Sequence, residues 1–328
     1  MTGDPGGHCL VTGVAGFIGS TLAEHLLANG DTVLGVDCFT DYYPPAVKER
    51  NLATLRRSPG FTFREANLLD ANLPALLTNV DSVFHFAAQP GVRKSWGTTF
   101  ATYAAHNVVA TQRLLEAART VPLRRFVYAS SSSIYGDAAE LPVRETTLPR
   151  PISPYGVTKL AAEHLAHLYT RNFGIPAVAV RYFTVYGPRQ RPDMAFARFM
   201  QALADDEPIE VYGDGEQTRE FTYVSDAVEG TVKAATADVV GMVFNLGGGS
   251  RVTVNKVLAT LEEISHLKVR REDLPSAPGD PRHTGASINL ARERLGWEPR
   301  VALRDGMGKQ WDWFLATRTG KSAGAVRD

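Results

Sequence analysis

Cys9-Leu10-Val11-Thr12-Gly13-Val14-Ala15-Gly16-Phe17-Ile18-Gly19 runs from an apolar, strand-like stretch straight into three glycines and the start of a helix pattern. Gly13 permits a tight turn, Gly16 lets a pyrophosphate approach the backbone, and Gly19 lets helix and strand pack closely. A helix that opens here, with Phe17 and Ile18 at its start, points unpaired N–H groups at a phosphate. The first two glycines stand one residue further apart than in GxGxxG, and a glycine turn without a ligand is the plain alternative. Asp37 ends the next strand pattern, where a carboxylate can accept from a ribose 2′-hydroxyl and repel a 2′-phosphate, which favours NAD over NADP. Its plain alternative is a strand-end turn residue. Asn67-Leu68 follows the third strand pattern and could touch an adenine; Ala87-Ala88-Gln89 ends the fourth, at the carboxyl edge where such sheets take their ligands.

Outward from this turn the chain alternates short β-branched runs with helical stretches. Strands are predicted over Cys9–Thr12, Thr32–Val36, Phe61–Glu65, Ser82–Phe86, Arg125–Ala129 and Ala177–Tyr182, and helices over Ile18–Ala28, Thr99–Arg119 and Tyr155–Asn172. That order argues for right-handed βαβ units and a parallel sheet covered on both faces. After about Gly187 the rhythm changes: helices over Met194–Ala204 and Ser225–Ala237 mix with short strands over Ile209–Tyr212 and Val243–Asn245. The expected architecture is a Rossmann-type doubly wound α/β sheet over residues 1–186, with a smaller mixed α/β C-terminal lobe over 187–328 that mostly binds substrate.

Composition narrows the function classes. Of 328 residues, 44% are hydrophobic and 21% charged, as in a soluble enzyme, and 35 Lys+Arg balance 35 Asp+Glu, so no net field recruits nucleic acid or an anionic membrane. The apolar runs are strand-sized, the start (Met1 to His8) has no secretory apolar core, and the tail from Thr317 to Asp328 reads as frayed. Two cysteines, Cys9 and Cys38, make no disulfide framework and suit a reducing cytoplasm. The histidines show no metal-ligand spacing, so no metal is expected, and His85 in its apolar strand reads as a packed core residue.

Tyr155 and Lys159 are one helical turn apart, so a phenol and an ammonium share a face. Lys159 can lower the phenol pKa and hold ribose hydroxyls; Tyr155 can then take a proton from a sugar hydroxyl while a hydride leaves the same carbon for NAD. Ser131 or Ser132 supplies a third group, while Ser130 and Ser133 read as a polar strand-to-loop transition. A bare Tyr-x-x-x-Lys is usually only a helix surface; its meaning comes from following the fifth strand of a dinucleotide fold.

Together these motifs resemble the extended short-chain dehydrogenase/reductase family, and within it the nucleotide-sugar epimerases. Asp41-Tyr42-Tyr43, His85-Phe86-Ala87-Ala88-Gln89-Pro90-Gly91-Val92-Arg93 and Arg181-Tyr182-Phe183-Thr184-Val185-Tyr186-Gly187-Pro188, continuing to Arg191-Pro192-Asp193-Met194-Ala195, are similar to UDP-glucuronate 4-epimerases. The resemblance implies reversible inversion at carbon 4 of a UDP-hexuronic acid through a 4-keto intermediate, with tightly held NAD and no net redox change. It implies Ser131, Tyr155 and Lys159 as the catalytic triad, with Ser132 beside it. It implies Ser130, Asn107 and Tyr182 near the cofactor, and Arg93 and Thr184 on the sugar side. Arg219 matches the arginine that meets the diphosphate, Tyr212 the uracil's packing surface, and Asp280 with Arg282 a looser substrate motif. For Arg219 a turn salt bridge, for Tyr212 a core position and for Arg282 a solvated one stay open. Relatives pair the helices equivalent to Thr99–Arg119 and Tyr155–Asn172 into a homodimer. Asn67 stands where many relatives have Asp, and Arg189 where many glucuronate epimerases carry Trp.

A 4-keto hexuronate is a β-keto acid, and it loses carbon dioxide when its carboxylate bond aligns with the carbonyl π system. An epimerase therefore has to fix the charged carboxylate away from that alignment. Ser132, Ser133, Thr184 and Arg191 are the candidates, because hydroxyl donors and a guanidinium make charge-assisted bonds. Decarboxylases and 4,6-dehydratases of the family carry acidic residues just after the catalytic hydroxyl, where this chain has Ser132 and Ser133. The competing readings are a UDP-glucose/UDP-galactose 4-epimerase, a UDP-glucuronate decarboxylase and a non-catalytic NAD-sensing protein.

Overall fold

The computed structural model describes residues 6–249, 251–275 and 279–319. The first five residues and the tail beyond Thr319, on which expectations were stated above, lie outside the described residues. In chain order the first part contains β1 (His8–Thr12), α1 (Phe17–Ala28), β2 (Thr32–Asp37), α2 (Pro45–Leu52), β3 (Phe61–Glu65), α3 (Leu73–Leu76), β4 (Ser82–His85) and α4 (Phe100–Tyr103). A π-helical turn over Ala104–Val109 carries α4 into α5 (Ala110–Ala118), followed by β5 (Arg125–Ser131), α6 (Pro154–Phe173) and β6 (Ala177–Tyr182). The second part contains β7 (Val185–Tyr186), α7 (Ala195–Ala204), β8 (Ile209–Tyr212), β9 (Thr218–Glu220), β10 (Thr222–Tyr223), α8 (Val224–Thr236) and β11 (Val243–Leu246). It ends with β12 (Arg251–Thr253), α9 (Val254–Ser265), β13 (Arg271–Leu274), α10 (Asn289–Leu295) and α11 (Leu303–Arg318).

Seven strands form one parallel sheet in the order β11-β6-β5-β4-β1-β2-β3. Its central strands read as apolar throughout because both faces are covered. Val11, Phe84, Val127 and Val178 enter the core on one side; their neighbours Leu10, Val83, Phe126 and Ala177 enter the core on the other. The period of two divides each strand between two separate interiors. Strand order reverses between β1 and β4, so the crevice at their carboxyl ends is the switch point where ligands of such sheets bind.

One expectation is corrected. Val243–Asn245 was assigned to the smaller lobe, but β11 returns to the main sheet and pairs with β6 from Val243↔Ala179 to Leu246↔Tyr182. The edge of β6 would otherwise leave a buried row of unpaired backbone groups. Helix α8 covers the same region, and Trp297, fully buried beyond α10, donates from its indole N–H to Asp226 O at 2.9 Å. Trp297→Phe removes that hydrogen bond and leaves a void, with an expected cost of about 1–2 kcal/mol, readable as a lower urea midpoint at unchanged slope.

Candidate active site

The turn between β1 and α1 is held by Gly13 N–H donating to Val36 O at 2.7 Å, with Gly13 at φ +71°. A Cβ on Gly13 would stand 2.7 Å from Ala87 N, and one on Gly19 would stand 2.4 Å from Gly13 O. The β1–β4 junction and the helix–turn packing therefore each exclude a side chain. A Cβ on Gly16 would meet only Gly13 O, at 3.0 Å; its other side is open to the cleft. No side chain caps α1, whose N-cap is Gly16, so its first N–H groups are available to an anion. Gly19→Ala forces the turn apart and is expected to weaken NAD binding by at least about tenfold in a titration of the purified protein.

Asp37, at the end of β2, is nearly buried. One carboxylate oxygen accepts from Phe39 N and Lys48 Nζ at 3.0 Å each, and the other from Ala15 N at 3.2 Å. It thus braces the glycine turn while lining the cleft. Lys48, on α2, is a cleft residue that the sequence did not disclose. The cleft itself has a volume of about 980 Å³, and all the catalytic, cofactor and substrate residues expected from the sequence line it except Asn107.

Asn107 sits in the π turn and acts at one remove. Its Oδ1 accepts from Gln89 N at 2.6 Å, and its Nδ2 donates to Gln89 O at 3.1 Å and Thr158 Oγ1 at 3.0 Å. It was expected beside the cofactor; instead it clamps the backbone of Gln89, which does line the cleft. The π turn aims this side chain inward, as such turns often do at functional sites. His85 connects the same elements as a neutral ring, burial holding its pKa at about 3. Ala87 N–H donates to Thr12 Oγ1 (3.2 Å), and Thr12 contacts His85 Nδ1 (2.7 Å). His85 Nε2 contacts Thr111 Oγ1 (2.9 Å), and Thr111 donates to Asn107 O (2.7 Å). Only the tautomer with its proton on Nε2 satisfies every member of this chain.

The phenol of Tyr155 lies against Ser131. Burial raises its pKa, while the Ser131 hydrogen bond and the charge of Arg191 lower it. Of the two candidate hydroxyls, Ser131 is the one that bears on the phenol's pKa; Ser131 Oγ accepts from Ser133 N at 3.1 Å. Ser132 opens the short turn that follows and lines the cleft. Ser130 lines the cleft, but its hydroxyl donates to Glu163 Oε2 at 2.5 Å and joins the buried Arg181–Glu163 pair, because neighbouring residues of a strand face opposite ways. Lys159 is buried one turn below Tyr155, its ammonium 4.8 Å from the Tyr128 ring centre. Burial lowers its pKa to about 7, and the Glu163 carboxylate opposes that shift. The Arg191 charge thus joins the groups that lower the phenol, a part the sequence had suggested for Lys159.

On the far wall Arg219 donates from Nη1 to Thr218 O (2.9 Å) and Arg282 O (3.1 Å). Among the described residues it has no carboxylate partner within ion-pair distance, and burial lowers its pKa. A half-buried guanidinium held only by carbonyls and facing a cleft suits an anionic ligand rather than a turn salt bridge. Tyr212 is not a core residue: Arg93 lies 3.9 Å above its ring centre and pairs with Asp280 at 2.7 Å. Arg282 pairs with Asp214 at 2.9 Å on the exposed rim, an arrangement worth little. Tyr182 lines the cleft with its ring and ties its hydroxyl to Thr231 at 2.6 Å. Arg189, the departure noted above, bridges to Glu24 on α1 at 2.7 Å, outside the cleft.

Two observations fit a dinucleotide: the uncapped helix start, and Gln89 Oε1, which is buried without a hydrogen-bond partner among the described residues and belongs to a residue lining the cleft. Known proteins agree. A relative named as an uncharacterized UDP-glucose epimerase, YtcB of Bacillus subtilis, is 47% identical over 300 residues, covering 91% of this chain and 95% of its own length. The UDP-glucuronate 4-epimerase of Thermodesulfobacterium geofontis is 37% identical, covering 94% of this chain and 96% of its own. A solved structure of UDP-glucuronic acid 4-epimerase from Bacillus cereus, in complex with UDP-glucuronic acid and NAD, superposes with a TM-score of 0.92 at 44% identity. That match spans 94% of this chain and 99% of the other. The model of the NAD dependent epimerase/dehydratase family matches residues 9–247, and this chain belongs to that family.

Proposed function

We propose that this protein is an isomerase, a 4-epimerase that interconverts UDP-glucuronate and UDP-galacturonate through a transient 4-keto sugar. The observation that carries this reading is the pairing, in one cleft, of Arg191 with the Tyr155–Ser131 hydroxyl pair, together with Ser132 and Ser133 where a dehydrating or decarboxylating enzyme needs an acid. NAD, held at the glycine turn by Gly13, Gly16 and Gly19 and near Asp37 and Gln89, supplies a reversible two-electron acceptor at carbon 4. Tyr155 takes the proton from the 4-hydroxyl, and Ser131 bonds the same oxygen and keeps the phenol within reach. Lys159 lies behind them as a cation for ribose hydroxyls. Once the other face of the keto sugar is presented, Tyr155 returns the proton. Arg191, with Ser132, Ser133 and Thr184, holds the carboxylate throughout, and Arg219 meets the diphosphate.

Residues 1–186 carry the cofactor and the proton chemistry, and 187–328 mostly the nucleotide-sugar contacts. Phe100, Val109, Val157 and Leu168 are exposed apolar side chains on α4 to α6, which supports a homodimer through these helices; mass photometry is expected to read twice the chain mass. Among the described residues no helix is long and apolar enough to cross a membrane. The unpaired thiols, Cys9 pushed up to about 12 by burial, suit a cytoplasmic protein. The assay is direct: UDP-glucuronate and UDP-glucose are incubated separately without added reductant and the sugars identified by NMR. UDP-galacturonate from the first is the expected product. UDP-galactose from the second alone would favour the neutral-sugar reading, to which the B. subtilis relative's name points.

A further inference from the structure

The assigned chemistry leaves Tyr42 and Asp193 without a task, yet both surround the guanidinium of Arg191. We propose that they are positioning residues for the hexuronate acid: they hold Arg191 by one edge, so that its free edge fixes the substrate carboxylate out of alignment with the 4-keto group. The proposal rests on Arg191 as the carboxylate anchor.

The geometry is that of a fork already half used. Arg191 Nε donates to Asp193 Oδ1 and its Nη2 to Asp193 Oδ2, each at 3.0 Å. Nη1 makes no hydrogen bond among the described residues, and all three side chains line the cleft. A carboxylate on the Nε/Nη2 edge removes the rotation that a lone guanidinium would keep, and a second carboxylate can then be met only from the Nη1 end. Asp193 is itself held: Tyr42 OH donates to its Oδ2 at 3.4 Å, and Lys94 Nζ lies 4.7 Å from the Tyr42 ring centre. The seat of the Tyr42 hydroxyl exists because residue 91 is glycine, at φ +93°; a Cβ there would come within 1.9 Å of that oxygen. Tyr103 packs edge-on against Tyr155 at 6.3 Å and donates to Pro90 O at 2.7 Å, which keeps the Pro90–Gly91 floor beside the phenol. The Asp41-Tyr42-Tyr43 and Arg191-Pro192-Asp193 stretches are thus one device.

When the fork slackens, the failure has a defined chemistry. In the 4-keto sugar the C5–C6 bond breaks, its electron pair forms the C4–C5 enolate, and carbon dioxide leaves. A proton then adds at C5 to give a UDP-4-keto-pentose. The electrons taken from C4 stay on the nicotinamide, whose absorbance at 340 nm records each such event.

The test uses Asp193→Asn, which keeps shape and removes charge, with Tyr42→Phe as the milder variant. Each is purified with its NAD content and melting temperature measured. Turnover of UDP-glucuronate is followed by NMR for UDP-galacturonate, by mass for UDP-4-keto-pentose, and at 340 nm. The fraction of turnovers that lose carbon dioxide is expected to rise about tenfold in Asp193→Asn, with NAD content unchanged. In Tyr42→Phe it is expected to rise about threefold. Should Asp193→Asn fail to fold, Tyr42→Phe decides. A parent-like product ratio in the variant that folds, with Arg191→Ala still crippled, overturns the positioning role and leaves the anchor standing. Uronate kinetics unchanged in Arg191→Ala overturn both.

Discussion

Tyr155→Phe is expected to lose about 10²–10⁴-fold in kcat while keeping its fold and its NAD, because it removes a single oxygen that does proton transfer. The ring is half-buried and sits edge-on to Tyr103 at 6.3 Å, a contact that phenylalanine preserves. What disappears is the hydroxyl paired with Ser131. The same pairing sets a pH dependence. Burial raises the phenol pKa, and the Ser131 bond and Arg191 charge lower it, so the reactive phenolate grows as pH rises. Ser131→Ala removes one of the lowering interactions. The rising limb of its kcat profile should therefore move to higher pH, with the plateau rate recovered in part above it. A Tyr155→Phe enzyme that matched the parent would remove Tyr155 from the chemistry, and an unshifted limb in Ser131→Ala would remove Ser131 from the phenol's surroundings.

Arg191→Ala is expected to spare NAD binding and to cut kcat/KM for UDP-glucuronate by roughly 10–100-fold, the worth of a charge-assisted hydrogen bond of about 1.5–3 kcal/mol. Activity on a neutral UDP-hexose should fall much less, since no carboxylate is there to be held. The variant also strips Asp193 of its partner, so Arg191→Lys is the necessary companion. Lysine restores the charge but not the planar fork, and should recover part of the rate and little of the control over carbon dioxide loss. Equal losses on charged and neutral sugars would contradict the anchor.

Much of this site was legible before any coordinates, because its parts obey local rules. Gly13, Gly16 and Gly19 are dictated by a turn and a close contact, and Tyr155 and Lys159 by a helical repeat, so all five stand where the sequence placed them. The strand patterns over Phe61–Glu65 and Ala177–Tyr182 match the observed elements residue for residue: the second is buried on both faces and nearly unbroken in its apolar run, while the first is an edge strand that alternates aromatic and polar residues. What stayed hidden depends on contacts distant in sequence. The Val243–Leu246 strand has no local mark that sends it back to β6. Lys48 lies in the polar helix Pro45–Leu52, whose pairing with Asp37 no periodicity announces. Asn107 reaches the cleft only through Gln89, and the Ser130 hydroxyl is taken up by Glu163. Strand alternation carries the signal that separates Ser130 from Ser131, but which face is the ligand's is decided by helix α6.

The central claim is that hydrogen is lifted from carbon 4 and returned to that carbon within one cleft, with the acid group kept. UDP-glucuronate deuterated at carbon 4, turned over in ordinary water without added reductant and examined by NMR, tests it most directly. The account predicts UDP-galacturonate that retains its deuterium at carbon 4. Exchange of that label with solvent, or a UDP-pentose as the main product, would contradict it.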